Sequence, residues 1–284
     1  GNIGYIGDRL DIDPASGAVE AVIGLEVTKT QQMNPDELAA QRVREVASWK
    51  VAVDLNGTFG GTAYLGGWHG TSAFHGMTQA RSSGRCGDGC YDFEEHQHPF
   101  SSSDAYGGDV HALAITPAGD LWMGDRKVIY FLAQRSLGAS TDFFVPISIP
   151  GQPGATSLDV FPGVDDDWNW GLAVDGSGGL YVASYGNGLA WLAPGSYAPT
   201  YWSAADKLPS NYLTGVAVDG SGDVWVGTQT AGVARYTPST GGWVYYTTSS
   251  GLPSNGVRAV WADPYAAGGK IYFATDNGVA VYGP

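Results

Sequence analysis

Positive charge is scarce in this chain. Of 284 residues only 14 are Lys or Arg, against 28 Asp or Glu, a formal net charge of −14. An acidic surface repels phosphate backbones, which argues against nucleic acid as a partner. Charge of either sign totals only 15 % while aromatic residues reach 12 %, a balance that argues against a disordered chain. No run of 18 apolar residues exists, so no segment reads as a membrane-spanning helix. No signal-peptide pattern is visible; a mature secreted chain would have lost one, so this decides nothing. Also missing are a Ser-His-Asp order, a nucleotide-binding glycine loop ahead of a helix, and a helical HExxH.

Cysteine is nearly absent as well. Cys86 and Cys90 stand alone in "CGDGC". Three small or flexible residues between them allow a local disulfide, which would imply an oxidising compartment. The competing reading is a pair of reduced thiols, with or without a metal. One CxxxC without a second pair is weak support for zinc.

What the chain has in abundance is glycine, 43 residues, together with 10 Trp and 16 Tyr. Short strands joined by Gly-rich turns give this mixture. The strands recur. "LPSN" stands at 208–211 and again at 252–255, 44 residues on, a period typical of repeat architectures. The clearest unit is 213–248. "LTGVAVD", "DVWVGT", "VARYTP" and "WVYYTT" read as four strands, separated by "GSG", "QTAG" and "STGG". Such a small sheet has two faces to bury, and radial packing of several copies buries both.

The first-strand ending recurs at 51–54, 113–116, 172–175, 216–219 and 260–263. The second strand recurs six times, centred on Tyr5, Tyr64, Trp122, Tyr181, Trp225 and Tyr272. The opening "GNIGYIGDRLDIDP" aligns with "GDLWMGDRKVIYF" at 119–131 and lacks a first strand, while the last unit lacks a fourth. A further 15–20 residues or so ahead of Gly1 would supply both. The expectation is a single all-β domain over 1–284: a β-propeller of six four-stranded antiparallel blades, with seven as the alternative. Three insertions interrupt it, at 34–48, 77–110 and 139–168. The first reads as a short helix, with Asn34 as N-cap and Pro35, Asp36 and Glu37 in its first turn.

The spaced pattern "GLPSN", then "D-x-x-G-x", then "VWVGT", then "G-V-A-R-Y" resembles the two-component regulator propeller repeat. The likeness is close over 208–282, looser over 171–192 and 112–132, and faint over 1–20 and 49–76. It implies β-propeller modules of the kind found in extracellular or periplasmic sensor regions that detect ligands. It brings no catalytic residues with it. Nothing in the chain resembles a kinase.

In a propeller the first strand of each blade lines the central axis. Five places before each first-strand ending the chain carries Trp49, His111, Trp170, Thr214 and Arg258, which are expected to ring one mouth of that axis. Trp68 and Tyr185 lie in loops of the same face. Such residues stack on sugar rings or clasp a carboxylate; the alternative is that they simply plug the channel.

The insertion "CGDGCYDFEEHQHPF" holds His96 and His98. With His69 in a mouth loop and His111 at the rim, three imidazoles plus Glu94 or Glu95 would suit zinc or copper. The competing reading is a set of exposed histidines in polar loops. His75 reads as a packing residue. "DGSGD" at 219–223 and "DDDWN" at 165–169 have the look of Ca²⁺ loops. The first recurs as "DGSGG" and "DLNGT" at the same step of the repeat, which argues for turn chemistry, and it has no Glu at the twelfth place.

Three functions follow from these readings. One is a secreted, cell-surface or periplasmic module that binds a carbohydrate or peptide. Another is a lyase on an acidic polysaccharide or lactone, with His111 as base and Arg258 stabilising the developing charge. The last is a structural subunit that pairs with another protein chain by strand addition.

Overall fold

A computed structural model describes residues 3–12, 19–28, 48–54, 62–67, 70–75, 92–97, 111–125, 128–132, 148–149, 151–155, 157–163, 169–195, 197–263 and 269–283. The chain forms two compact units: Gly1–Val110 with Leu137–Phe144, and His111–Ser136 with Val145–Pro284. Strands dominate both. Among the described residues the only helical piece is a 3-10 turn, Thr248–Ser250.

In the first unit β1 (Ile3–Ile12) pairs with β2 (Val19–Thr28) as an antiparallel hairpin. β1 runs unbroken through Asp8–Arg9, with a bulge between Tyr5 and Gly7. β3 (Ser48–Asp54), β4 (Thr62–Gly67), β5 (Gly70–His75) and β6 (Asp92–Gln97) form a four-stranded sheet in chain order. β6 lies inside the stretch 77–110, so that stretch carries the fourth strand. Residues 34–47, Cys86 and Cys90 lie outside the described residues.

The second unit holds four sheets. The first comprises β7 (Ala112–Ile115), β8 (Leu121–Gly124), β9 (Val128–Leu132) and β10 (Ser157–Asp159). Next come β11 (Asn169–Val174), β12 (Leu180–Ser184), β13 (Gly188–Leu192) and β14 (Pro199–Trp202). The third is β15 (Leu213–Val218), β16 (Val224–Thr228), β17 (Val233–Thr237) and β18 (Gly242–Tyr246). The last has three strands, β19 (Val257–Ala262), β20 (Ile271–Thr275) and β21 (Gly278–Tyr282). Every neighbouring pair is antiparallel.

The core lies between successive sheets of this unit. Period-2 alternation sends Leu180 and Val182 of β12 to one side, with Trp122 and Phe131, and Tyr181 and Ala183 to the other, with Leu213 and Val224. β16 repeats this: Val224 and Val226 pack one way, and Trp225 packs the other way with Ile271 and Phe273. A second strand is thus buried on both faces, so it reads as an apolar run. Burial of each aliphatic side chain stabilises by roughly 1.5–3 kcal/mol.

First strands β7, β11, β15 and β19 lie side by side. They carry Ala112, Gly171, Gly215 and Ala259 at one repeated position. The smallness is required at Gly171, where an added Cβ would stand 2.8 Å from Val216 N and 3.0 Å from Gly215 Cα.

The repeated LPSN is a clasp. Leu208 and Leu252 are buried. Ser210 Oγ accepts from Tyr212 N, and Ser254 Oγ from Gly256 N, which fixes the turn into the next first strand. Asn211 Oδ1 accepts from Ala204 N, and Asn255 Oδ1 from Thr248 N. The two asparagine carbonyls reach back to the preceding sheet: Asn211 O accepts from Gly186 N and Gly188 N, and Asn255 O accepts from Gly232 N.

The turn aspartates are equally committed. Asp219 Oδ1 accepts from Ser221 N and Asp223 N, and Asp175 Oδ1 from Ser177 N and Gly179 N. In "DGSGD" this carboxylate serves the turn.

Candidate functional site

The candidate site is built on one backbone irregularity repeated in sheet after sheet. Register shifts fall between Ser48 and Lys50, Asn169 and Gly171, Leu213 and Gly215, and Val257 and Ala259. The residue skipped is Trp49, Trp170, Thr214 or Arg258. In the β7 sheet His111 N donates to Gly124 O at 2.8 Å, next to the Ala112–Gly124 pair. Trp49, Trp170, Thr214 and Arg258 thus hold equivalent places within their sheets, and His111 precedes β7 at the matching place in the repeat. A bulge re-aims its side chain away from the ladder, which suits a position that varies among Trp, Thr and Arg.

Within the second unit the bulge residues have different fates. His111 is buried, its ring centroid 5.4 Å from that of Trp170 and tilted by 43°. Trp170 lies 5.9 Å from Tyr185, and Tyr185 meets Tyr212 edge-on at 5.3 Å. The Tyr185 and Tyr212 backbones form an isolated antiparallel bridge. The outcome is an aromatic row, His111–Trp170–Tyr185–Tyr212, that runs from a buried end to a Tyr212 that is 52 % exposed. Tilted and edge-on pairs at such distances are favourable and hold the rings in place.

Thr214 is buried, and its Oγ1 donates to Val257 O at 2.7 Å, tying β15 to the next first strand. Arg258 is solvent-exposed and bonds through Nε to Asp276 Oδ1 at 2.5 Å. Its positive charge already has a carboxylate partner.

Two buried polar residues lie beside His111 and Trp170. Asn169 opens β11, is fully buried and donates from Nδ2 to Asp125 O at 3.0 Å. Asp125 follows β8 and is 6 % exposed. Burial first, and the Asp125 charge second, push the Tyr130 phenol above its ordinary range.

Trp49 lies on β3 of the first unit, and His96 lies on β6 opposite Thr71. Trp68, His69, His98 and residues 165–168 lie outside the described residues. Among the described residues no group of three His, Cys, Asp or Glu could hold a metal ion. No helix among them is long and apolar enough to cross a membrane.

Sequence reasoning missed Tyr212, Asn169 and Asp125. The signal was a departure from the repeat. Tyr212 stands where the second LPSN copy has Gly256, Asn169 where other copies have Leu213 and Val257, and Asp125 where they have Ser184, Thr228 and Thr275.

No protein-family model matches the chain, and no curated protein matches it. Solved structures do. The extracellular domain of a putative hybrid two component system from B. thetaiotaomicron matches with a TM-score of 0.60 at 16% identity, over 93% of this chain and 31% of its own. PorZ, a surface component of the type-IX secretion system of Porphyromonas gingivalis, matches with a TM-score of 0.51 at 15% identity, over 93% of this chain and 42% of its own. Virginiamycin B lyase from Staphylococcus aureus matches with a TM-score of 0.54 at 12% identity, over 97% of this chain and 72% of its own. This chain thus spans under half the length of the first two. At such identities the likeness is one of fold, and the neighbours are β-propellers.

Proposed function

We propose that this chain is a ligand-binding or sensing propeller module that works outside the cytoplasm, in secreted, cell-surface or periplasmic form, and binds a carbohydrate at the face lined by the bulge residues. The observation that carries the reading is the row His111–Trp170–Tyr185–Tyr212, in which His111 and Trp170 stand at matching places in the repeat and Tyr185 and Tyr212 flank them from neighbouring loops. Ring faces and edges of this kind stack on the apolar faces of sugars. The fold neighbours that are extracellular sensor domains and a surface component support the setting. On this reading the sheets close as six blades, and Trp49 and Trp68 add to the same face.

The test is a titration of intrinsic tryptophan fluorescence against neutral and acidic oligosaccharides, with a peptide library alongside. A saturable change that disappears in Trp170→Ala supports the proposal. Binding confined to peptides would move the ligand class, and no saturable change with any probe would end it.

A lyase is the second reading, supported by the likeness to virginiamycin B lyase. His111 would act as base and Arg258 as charge stabiliser. The Arg258–Asp276 pair weighs against it, since that guanidinium is already matched. New ultraviolet absorbance from an unsaturated product, lost in His111→Ala, is its signature.

A further inference from the structure

Positions 169 and 170 both depart from their counterparts in the β15 sheet. In the β15 sheet the bulge residue is Thr214, and it provides the side-chain bond between neighbouring first strands, Oγ1 to Val257 O at 2.7 Å. The residue before it, Leu213, is aliphatic and fully buried, as is Val257 at the start of β19. In the β11 sheet the bulge residue is Trp170, which is engaged with His111 and Tyr185. One place earlier, Asn169 Nδ2 donates to Asp125 O at 3.0 Å, a bond back to the end of β8 in the preceding sheet.

The departure at position 169 is unfavourable for packing alone. An amide replaces a leucine at a fully buried position, and its Oδ1 accepts no hydrogen bond from any described residue. Such local departures from a repeat tend to mark function. The bond also acts at a particular place. Asp125 follows Gly124, whose carbonyl receives His111 N, and a Cβ on Gly124 would stand 3.3 Å from Asn169 Cβ. Asn169 therefore clamps the end of β8 that carries His111 against the strand that carries Trp170.

We propose that Asn169 is the positioning residue of the aromatic row: its bond to Asp125 O fixes β11, which carries Trp170, against the end of β8 whose Gly124 carbonyl receives His111 N. This rests on the binding role proposed above and adds the residue that sets its geometry. Asn169 itself touches no ligand; it acts through the spacing of His111 and Trp170.

The test compares Asn169→Leu, Trp170→Thr, the double variant and Thr214→Val with the parent chain. Thermal midpoint, near-ultraviolet circular dichroism and calorimetric affinity for maltohexaose and cellohexaose are measured. Asn169→Leu restores the aliphatic residue of the repeat, so its midpoint should stay within about 2 °C, whereas Thr214→Val should lose about 2–4 °C. Asn169→Leu should also alter the tryptophan bands and weaken sugar binding about tenfold. The band change should vanish when Trp170→Thr is the background. Trp170→Thr should fold with its midpoint maintained and bind neither sugar.

An Asn169→Leu chain with parental bands would overturn the proposal. So would one whose midpoint falls as far as that of Thr214→Val while affinity is unchanged; Asn169 would then be a structural tie. If the parent chain binds neither sugar, the carbohydrate reading fails. The circular dichroism comparison still decides the role of Asn169.

Discussion

Trp225 and Asp219 are joined by a hydrogen bond from the indole Nε1 to Oδ2 at 2.8 Å, and the neighbouring sheet makes the same bond from a different strand. There Trp191 donates to Asp175 Oδ2 at 2.9 Å. Trp225 sits on a second strand and Trp191 on a third. The indole N–H reaches the turn carboxylate from either. Each aspartate thus binds its own turn through Oδ1 and a tryptophan through Oδ2. Replacing Asp219 by Ala removes two backbone bonds and leaves a buried indole N–H without its acceptor. The expected loss is about 2–4 kcal/mol, read by urea unfolding.

Acid sensitivity should follow from Asp175. Burial raises its pKa, but bonds from the Ser177 hydroxyl, the Trp191 indole and the Gly179 and Ser177 amides outweigh this and hold it below the ordinary value of 3.8. A folded-state pKa below the unfolded one gives stability that is present above the unfolded value and lost as pH falls through the folded one. The thermal midpoint should therefore drop steeply once pH falls under about 4, and Asp175→Asn should flatten that drop while lowering the midpoint at neutral pH.

At the alkaline end the sign reverses. Burial, then the Asp125 charge, raises the Tyr130 phenol, and burial, then Asp175 and Tyr236, raises Tyr181. Their contribution is whole below the unfolded value near 10 and is lost as pH climbs toward the raised folded values. Absorbance at about 295 nm should show these two of the 16 tyrosines ionising only together with unfolding.

Gly232 has φ +82°, and a Cβ there would meet Tyr246 O, the last residue of β18. Gly188 repeats the geometry with φ +85° against Trp202 O. Gly232→Ala should cost upward of about 2 kcal/mol in urea unfolding, well beyond the usual value for an exposed glycine. Gly220→Ala, whose Cβ meets nothing within 4 Å, is the control.

Tyr212 is the exposed end of the aromatic row. Tyr212→Ala should weaken sugar binding roughly fivefold to tenfold, the worth of one stacked ring, with the thermal midpoint nearly unchanged. Calorimetry alongside a melting curve checks both halves.

The strand layout of the second unit was legible because its cause is local. Alternation in "LTGVAVD" and turn residues such as Asp219 and Gly222 fix a four-stranded meander without distant contacts. The repeated position itself was legible for the same reason, since counting back from Asp175 or Asp219 lands on Trp170 or Thr214, the residues at the register shifts. The bulge at that position was not, because register is a relation between two strands. Nor was the difference between Thr214, spent on Val257 O, and Trp170, facing His111. Those depend on the neighbouring sheet, 43 residues away in sequence for Val257 and 59 for His111.

The asparagine clasp points only backward along the chain. Gly186 and Gly188 wait for Asn211, and Gly232 waits for Asn255. A ribosome adding roughly 5–20 residues per second needs roughly 1–5 s to pass from Gly188 to Asn211 or from Gly232 to Asn255. The loop around each of these glycines therefore cannot be closed until the sequence that follows it has been made.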